Sequence, residues 1–146
     1  MTSPREAPAG AAATPSGRFP KRERVRKRRE YLEIQALGRR VTLPHFVLIV
    51  RARVPDADGV ARLGITASRK VGNAAVRSRI RRLVREAFRA TRELFPSDAD
   101  VVVIVKRAPE SLGLAAVVSE FRAGRSALAK RIDEARRALN TKRDEA

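Results

Sequence analysis

Apolar residues recur between positions 76 and 88 at the spacing of one face of an α-helix. The i, i+4, i+7, i+8 pattern predicts a helix that is buried along a single stripe. The stripe consists of Val76, Ile80, Leu83, Val84, Ala87 and Phe88. A helix turns by about 100° per residue, so the opposite face carries Arg81, Arg82, Arg85, Arg89 and Arg92. Only Glu86 dilutes these charges, and they repel one another unless a polyanion screens them.

Two apolar runs before this helix predict β-strands, at residues 45–54 and 60–68. Turn-forming residues at 55–59 separate the runs, which predicts a β-hairpin. Because successive strand residues point to opposite faces, each run divides into two sets. In the first run, Phe46, Leu48 and Val50 lie on one face, and Val47, Ile49 and Arg51 lie on the other. In the second run, Leu63 and Ile65 lie on one face, and Gly64, Thr66 and Ser68 lie on the other. We expect one face of the sheet to be core and the other to be mixed.

Three further segments complete the predicted elements. Residues 24–37 carry a weak apolar stripe that ends before Gly38, which predicts a first helix. The continuous apolar run at 100–106 predicts a strand that is covered on both faces. After Pro109 a last helical region follows, with Gly113 and Gly124 as possible bends. The segment 60–106 is then a βαβ unit, and the predicted class is α+β with a small sheet.

The length of 146 residues predicts one domain with tails. Residues 1–20 are rich in alanine and proline and contain the basic residues Arg5 and Arg18, which predicts a disordered basic tail. We assign residues 21–140 to the folded domain and expect residues 141–146 to be frayed.

The charge balance favours a nucleic-acid partner. Lys and Arg number 33 against 16 Asp and Glu, a net charge of +17, which is typical of proteins that bind phosphate backbones. No run approaches the length of a membrane span, so we expect no membrane association. The chain has no Cys, which excludes disulfides and thiolate metal sites and favours the cytoplasm.

The sequence offers little material for protein-based catalysis. His45 is the only histidine, and a surface or hydrogen-bonded role suits it better than a role as base or metal ligand. The acids lie mostly within cationic helices, where ion pairing explains them. No glycine spacing matches a phosphate-binding loop. Gly72 and Asn73 instead predict a turn, with Asn73 capping the arginine helix. We therefore expect no catalytic residue, metal or cofactor on the protein.

The segment GITASRKVGNAAVRSRIRRLVREAFR, residues 64–89, resembles the bacterial ribonuclease P protein component. That family has the signature K-x-G-N-A-V-x-R-N-R-x-K-R. Matching positions are Lys70, Gly72, Asn73, Ala74, Arg77, Arg79 and Arg82, while Arg81 replaces the usual lysine and Ser78 the usual asparagine. The upstream segment RKRREYLEIQALGRRVTLPHFVLIV is also similar to the family's first helix and strands, so the resemblance spans roughly residues 22–125.

The resemblance implies an αβββαβα fold with a four-stranded sheet. It adds a short strand near residues 40–43 and a left-handed βαβ crossover, which is contrary to the usual right-handed rule. It also implies that a catalytic RNA with magnesium cuts the 5′ leader from precursor tRNA, and that the protein binds both RNAs. DNA is not an expected partner. The implied contacts with the catalytic RNA are Lys70, Asn73, Arg77, Ser78, Arg79, Arg81, Arg82 and Arg85.

A cleft between the first helix and the sheet is implied to hold the leader. Its expected residues are Tyr31, Val47, Ile49, Arg51 and Thr66. The departures are Gln35, where the family often has a second aromatic residue, and Ile49, where a tyrosine can occur. Leader stacking then rests mainly on Tyr31.

Two other functions remain open from the residues alone. A structural RNA-binding protein, such as a ribosomal protein or an RNA chaperone, could use the same basic helix without any processing role. A metal-dependent protein nuclease is disfavoured, because the carboxylates and the single histidine do not form a cluster in the sequence.

Overall fold

The computed structural model describes residues 21–54 and 59–145 as one α+β domain. Four helices and four strands follow in the order αβββαβαα, with short 3₁₀ turns at Lys21–Glu23 and Arg92–Leu94. The elements are α1 (Arg28–Leu37), β1 (Arg39–Thr42), β2 (Phe46–Ala52), β3 (Arg62–Thr66), α2 (Ala74–Ala90), β4 (Ala99–Val105), α3 (Leu114–Ala123) and α4 (Arg125–Glu145). The sequence-based α+β class is confirmed, and so is the short first strand that the family resemblance implied.

The sheet has the order β1-β2-β4-β3. Strand β4 lies between β2 and β3, antiparallel to the first and parallel to the second. The predicted hairpin of β2 with β3 is therefore wrong, although both strands exist. The reason is that β4 is buried at every position except Ile104, and such a strand is most stable in the middle of a sheet. The turn predicted at residues 55–58 lies outside the described residues.

The parallel pairing of β3 with β4 confirms the βαβ unit, with α2 as its crossover. The left-handed sense of that crossover stays a prediction.

Both faces of the sheet are covered, but unequally. The larger core joins Phe46, Leu48 and Val50 of β2 to the buried residues of α2, α3 and α4. The smaller cluster, on the opposite face, joins Ile34 of α1 to Ile49 and Val102. The predicted alternation of β2 is confirmed, since even-numbered residues face the main core and Val47 and Ile49 face α1.

Helix α1 begins at Arg28 rather than at the predicted residue 24. The preceding segment is extended, because Arg24 forms a parallel bridge with Leu63 and the backbone N–H of Val25 donates to the Leu63 carbonyl at 3.0 Å. These residues add a short partner to the edge of β3. The carboxylate of Glu30 then accepts from the N–H groups of Arg26 and Lys27, both at 3.3 Å, which caps the helix start.

The last helical region is divided as the glycines predicted. Gly113 precedes α3 and Gly124 separates α3 from α4. A side chain at Gly124 would place its Cβ 2.9 Å from the end of the Leu43 side chain, which would have to shift. Helix α4 continues to Glu145, and residues 141–145 are helical where the sequence predicted a frayed end. The segment contains neither proline nor glycine that would end the helix. The predicted tail at residues 1–20 lies outside the described residues.

Candidate nucleic-acid interface

The turn before α2 is built as the sequence predicted. The side-chain oxygen of Asn73 accepts a hydrogen bond from the backbone N–H of Val76 at 3.0 Å, so Asn73 is the N-cap. A Cβ at Gly72 would lie 2.7 Å from a methyl group of Val76, which excludes any larger residue without a shift. Lys70, Asn73 and Ser78 are exposed around this turn, where they can reach a phosphate.

Helix α2 presents the predicted apolar and cationic faces. Its buried residues are Ile80, Val84, Ala87 and Phe88. On the other side, Arg82 is exposed, and Arg81, Arg85 and Arg89 are partly exposed. Arg92, which the helical spacing placed with them, pairs instead with the buried Glu23 and lies over the Phe88 ring. The cationic face is therefore shorter at its C-terminal end than the sequence suggested.

The charge density is greatest around Arg85. Burial lowers the pKa of its guanidinium, and the nearby charges of Arg24, Arg82, Arg89 and Arg81 lower it further. Arg24 comes from the segment that pairs with β3, so this cluster joins two separate parts of the chain. Arg85 remains charged at any ordinary pH. The lowered pKa reflects burial first and repulsion between the arginines second, and a bound polyanion would relieve the repulsion.

Arg79 has a different environment from the other arginines of α2. Its terminal nitrogens donate to the carbonyl oxygens of Leu112 at 2.9 Å, Pro109 at 2.9 Å and Ala108 at 3.3 Å. These carbonyls belong to the connection between β4 and α3. The guanidinium is thus engaged in holding that connection against α2, and we no longer expect Arg79 to bind RNA. The sequence could not indicate this contact, because it joins residues that are far apart in the chain.

Arg77 is intermediate between the arginines of the cationic face and Arg79, because only part of its guanidinium is engaged within the protein. Its Nε donates to the Gly72 carbonyl at 3.2 Å, which uses one of the five N–H groups of a guanidinium. The bond directs the side chain back along the turn before α2, next to the exposed Lys70 and Asn73.

The second predicted surface is the sheet face that α1 covers only in part. Strand register aligns one row of side chains across all four strands of this face: Thr42, Val47, Ile104 and Thr66. Each member is at least partly exposed. This row forms the floor of a shallow cleft beside α1, which we call the sheet cleft. Thr42 and Ile104 were missed by the sequence analysis, because their place in the row depends on the strand order.

Tyr31 forms the wall of the sheet cleft on the β3 side. Its hydroxyl accepts a hydrogen bond from the Ile65 N–H at 3.3 Å, and its ring lies over Gly64, where a Cβ would be 2.7 Å from the ring. The ring is partly exposed. Ile49, in contrast, is 0% exposed under α1, so the prediction that it contacts the leader is wrong for this conformation. The isoleucine is part of the small core that supports the cleft.

Ion pairs close the other end of the same face. Asp100 is buried and accepts from Arg62 at 2.8 and 2.9 Å and from Arg53 at 2.6 Å, and Arg62 also binds Glu30 of α1 at 3.1 Å. Hydrogen bonding to Asp100 raises the pKa of Arg62. Arg51, the last predicted cleft residue, lies 3.7 Å from Glu33. The network ties α1 to the sheet, which sets the position of Tyr31.

A sequence model of the ribonuclease P family matches residues 19–130, most of the chain. This chain belongs to the ribonuclease P protein family. The ribonuclease P protein component of Syntrophus aciditrophicus (strain SB) is 43% identical to it over 101 residues, which are 69% of this chain and 82% of the relative. That of Citrifermentans bemidjiense is 33% identical over 116 residues, 80% of this chain and 97% of the relative.

Solved ribonuclease P proteins have the same fold. The protein from Thermotoga maritima superposes with a TM-score of 0.57 at 30% identity, covering 69% of this chain and 93% of that one. A Staphylococcus aureus ribonuclease P protein, a mutant with defective mRNA degradation activity, gives a TM-score of 0.60 at 26% identity, with 70% and 85% covered. The described α+β domain therefore has the fold of ribonuclease P proteins.

The described part of this ribonuclease P protein has neither a candidate metal site nor a membrane-spanning helix. Within residues 21–54 and 59–145, no group of three or more histidines and carboxylates is placed to hold a metal ion. The one histidine, His45, binds Glu120 through its Nδ1 at 2.7 Å and through its backbone N–H at 2.8 Å. This contact fastens the turn between β1 and β2 to α3. No helix in the described part of the chain is long and apolar enough to cross a membrane.

Proposed function

We propose that the two surfaces bind two RNAs: the catalytic RNA of ribonuclease P on α2, and the 5′ leader of precursor tRNA in the sheet cleft. The observation that carries the proposal is the crowding of like charges around Arg85, which burial and four other arginines make unfavourable in the free protein. A phosphate backbone would add negative charge beside these arginines, and release of condensed ions favours binding. In the holoenzyme the RNA subunit, with magnesium, carries out phosphodiester hydrolysis, and the protein is not catalytic.

On α2 the expected phosphate ligands are the exposed and partly exposed cations. They are Lys70, Arg77, Arg81, Arg82 and Arg85, with Asn73 and Ser78 as hydrogen-bonding neighbours at the helix start. The N-terminus of α2 adds backbone N–H groups and the positive end of the helix dipole, which also favour an anion. This set differs from the sequence prediction by the loss of Arg79.

In the sheet cleft the expected contacts are stacking and backbone contacts rather than base-specific hydrogen bonds. Tyr31 offers the face of an aromatic ring, and Val47, Ile104 and Thr66 provide a floor with few polar groups. Stacking on an aromatic ring tolerates any base, so a leader of variable sequence suits this surface. Arg51 supplies a cation near the end of the cleft.

The arrangement explains how the protein could align substrate with the catalytic RNA. Strand β3 contributes Thr66 to the cleft, and the chain passes from β3 through Lys70 and Gly72 directly into α2. The two proposed RNA surfaces are therefore joined by a short, capped turn. When α2 is bound to the catalytic RNA, the cleft and the leader in it would lie at a fixed distance from the cleavage site. Such positioning needs no catalytic group from the protein.

Reconstitution tests the proposal. The purified chain, mixed with a bacterial ribonuclease P RNA, should increase cleavage of precursor tRNA at low magnesium above that of the RNA alone. It should also bind precursor tRNA more tightly than mature tRNA within the holoenzyme. Binding to the RNA without either effect would favour a structural RNA-binding protein instead. Cleavage by the protein alone would indicate a protein nuclease. The absence of cysteine fits the cytoplasm as the place of action.

A further inference from the structure

A cavity lies at the opposite edge of the sheet from α2, and of its lining residues the proposed function uses only Arg51. Its volume is about 280 Å³, and it forms where the end of α1, the start of β1, the end of β2 and the C-terminal half of α4 meet. We call it the α4 pocket. Three cations line it, Arg39, Arg51 and Lys142, around an apolar part formed by Leu37, Ala138 and Leu139.

One face of helix α4 lines the α4 pocket. Its lining residues on α4 are Ala135, Ala138, Leu139 and Lys142, at the spacing of a single helix face. They lie after residue 130, where the match to the family model ends. Across from them, Leu37 is 58% exposed, which is unusual for a leucine that borders a cavity. The pocket therefore leaves apolar surface open next to positive charge.

This combination suits one nucleotide. A volume of about 280 Å³ is near the lower end of the roughly 300–1,000 Å³ that small-molecule sites occupy. The apolar side chains can contact a base or a ribose, and the cations can contact a phosphate. Carboxylates on the flanking helices are already paired, Glu33 with Arg51 at 3.7 Å and Glu134 with Arg131 at 2.9 Å. The net charge of the site is positive.

The α4 pocket and the sheet cleft meet at the sheet edge that strand β1 forms. Thr42 lies in the cleft row, and Arg40, two residues earlier, pairs with Ile49 and so shares the cleft face. Both are exposed. Arg39 begins the strand and lines the pocket, and as the register partner of Val50 it faces the α4 side of the sheet, so the pocket is reached round the β1 edge. At about 3.3 Å per residue, the pocket begins roughly 10 Å from the cleft row. An RNA strand leaving the cleft at β1 would meet Arg40 on the cleft face and then pass round the sheet edge to Arg39 and the pocket.

From this continuity we infer that the α4 pocket binds a nucleotide of the precursor-tRNA leader, upstream of the nucleotides held in the sheet cleft. The catalytic RNA is the less suitable occupant, because its proposed binding surface on α2 lies beside β3 and α3, at the other edge of the sheet. The inference rests on the proposed function, since it needs a leader in the cleft.

The experiment uses the holoenzyme, reconstituted with a bacterial ribonuclease P RNA, and precursor tRNAs whose leaders lengthen one nucleotide at a time. Affinity should rise in two steps, the first for the sheet cleft and the second for the α4 pocket. Lys142→Glu should remove the second step and leave the first. Loss of one phosphate contact lowers affinity roughly fourfold at about 0.15 M salt, and reduces the slope of log affinity against log salt by about 0.7.

The matched control is Lys130→Glu, since Lys130 is also an exposed lysine of α4 but does not line the pocket. It should keep both steps. An equal loss from both variants, or a second step that survives Lys142→Glu, would overturn the inference while leaving the proposed function intact. Absence of the first step in the unmodified holoenzyme would overturn the proposed function itself, and the inference with it.

Crosslinking identifies the occupant directly. The chain has no Cys, so Ala138→Cys introduces a unique thiol for a photocrosslinker, and Ala129→Cys on the same helix is the control outside the pocket. Ala138→Cys should crosslink to the leader of a long precursor and not to a precursor with a short leader. Crosslinks from this position to the catalytic RNA alone would refute the choice of the leader.

Discussion

Replacing Arg79 by lysine separates a structural role from an RNA-binding role. Lysine keeps the positive charge but presents a single ammonium group instead of a planar fork of donors. In the structure the fork reaches three carbonyl oxygens of the connection between β4 and α3. One ammonium group cannot occupy these positions together. We therefore expect Arg79→Lys to lower the free energy of unfolding, although the charge of α2 is unchanged.

The size of the loss follows from the hydrogen bonds. The bond to Leu112 at 2.9 Å is partly buried, and Leu112 itself is only 5% exposed. A charged hydrogen bond of this kind contributes about 1.5–3 kcal/mol. The bond to Pro109, also 2.9 Å, is exposed, and the one to Ala108 is long at 3.3 Å, so together they add about 0.5–1 kcal/mol. Arg79→Ala should thus cost about 2–4 kcal/mol, and Arg79→Lys somewhat less.

Thermal unfolding followed by circular dichroism measures this effect. For a domain of this size about 4 °C corresponds to each kcal/mol, so Tm should fall by about 8–16 °C for Arg79→Ala. Arg82→Ala is the matched control, because Arg82 is exposed on the same helix, and its Tm should change little. The reasoning is refuted if Arg79→Ala leaves Tm unchanged and weakens RNA binding as much as Arg82→Ala, with full rescue by Arg79→Lys.

Three other outcomes follow from the same contacts. For five neutralised phosphates, a plot of log affinity for the catalytic RNA against log salt should have a slope of about −3.5 to −4.5. Arg82→Ala should make this slope less steep by about 0.7–0.9; an unchanged slope in a salt titration would contradict the phosphate assignment. Tyr31→Ala should weaken binding of precursor tRNA by about 1–2 kcal/mol relative to mature tRNA, whereas Tyr31→Phe, which keeps the ring, should not; equal losses for both tRNAs would remove Tyr31 from the leader site. Hydrogen bonding to Arg136 lowers the pKa of Asp98, so the stability from this pair is present above about pH 4 and is lost as pH falls below it. Asp98→Asn should flatten that part of a plot of Tm against pH, and an unchanged acid limb would exclude the contribution.

The elements of this fold could be predicted from the sequence because each depends on a local pattern. The stripe of α2, its cap at Asn73 and the alternation of β2 all require only neighbours within a few residues. The strand order could not be predicted in this way. The run between residues 60 and 68 follows β2 after a short turn, which is the usual pattern of a hairpin. Against the hairpin, β4 gains more stability than β3 does from burial in the middle of the sheet. This difference can be recognised only when all four strands are considered together.

The same limit applies to the binding residues: local patterns predict their positions, but not their contacts with distant parts of the chain. Arg82 and Arg85 were predicted from the one-sided charge of α2, and the structure places them on a cationic face. Arg79 shares their signature motif, yet its side chain binds carbonyls about thirty residues further along the chain. Ile49 alternates correctly with Val47, but α1 covers it completely. In both cases the residue's face was predictable, and what covers or contacts that face was not.

The position of β3 at the sheet edge connects these observations to function. Because β3 is an edge strand, the segment around Arg24 can pair with it on its free side, and this brings Arg24 next to Arg85. The same strand carries Gly64, which lets the Tyr31 ring approach the backbone closely. A hairpin of β2 with β3 would place β3 inside the sheet and remove both contacts. The insertion of β4 therefore does more than bury an apolar strand: it keeps β3 at the edge, where the segment around Arg24 pairs and where the proposed surfaces for catalytic RNA and leader meet.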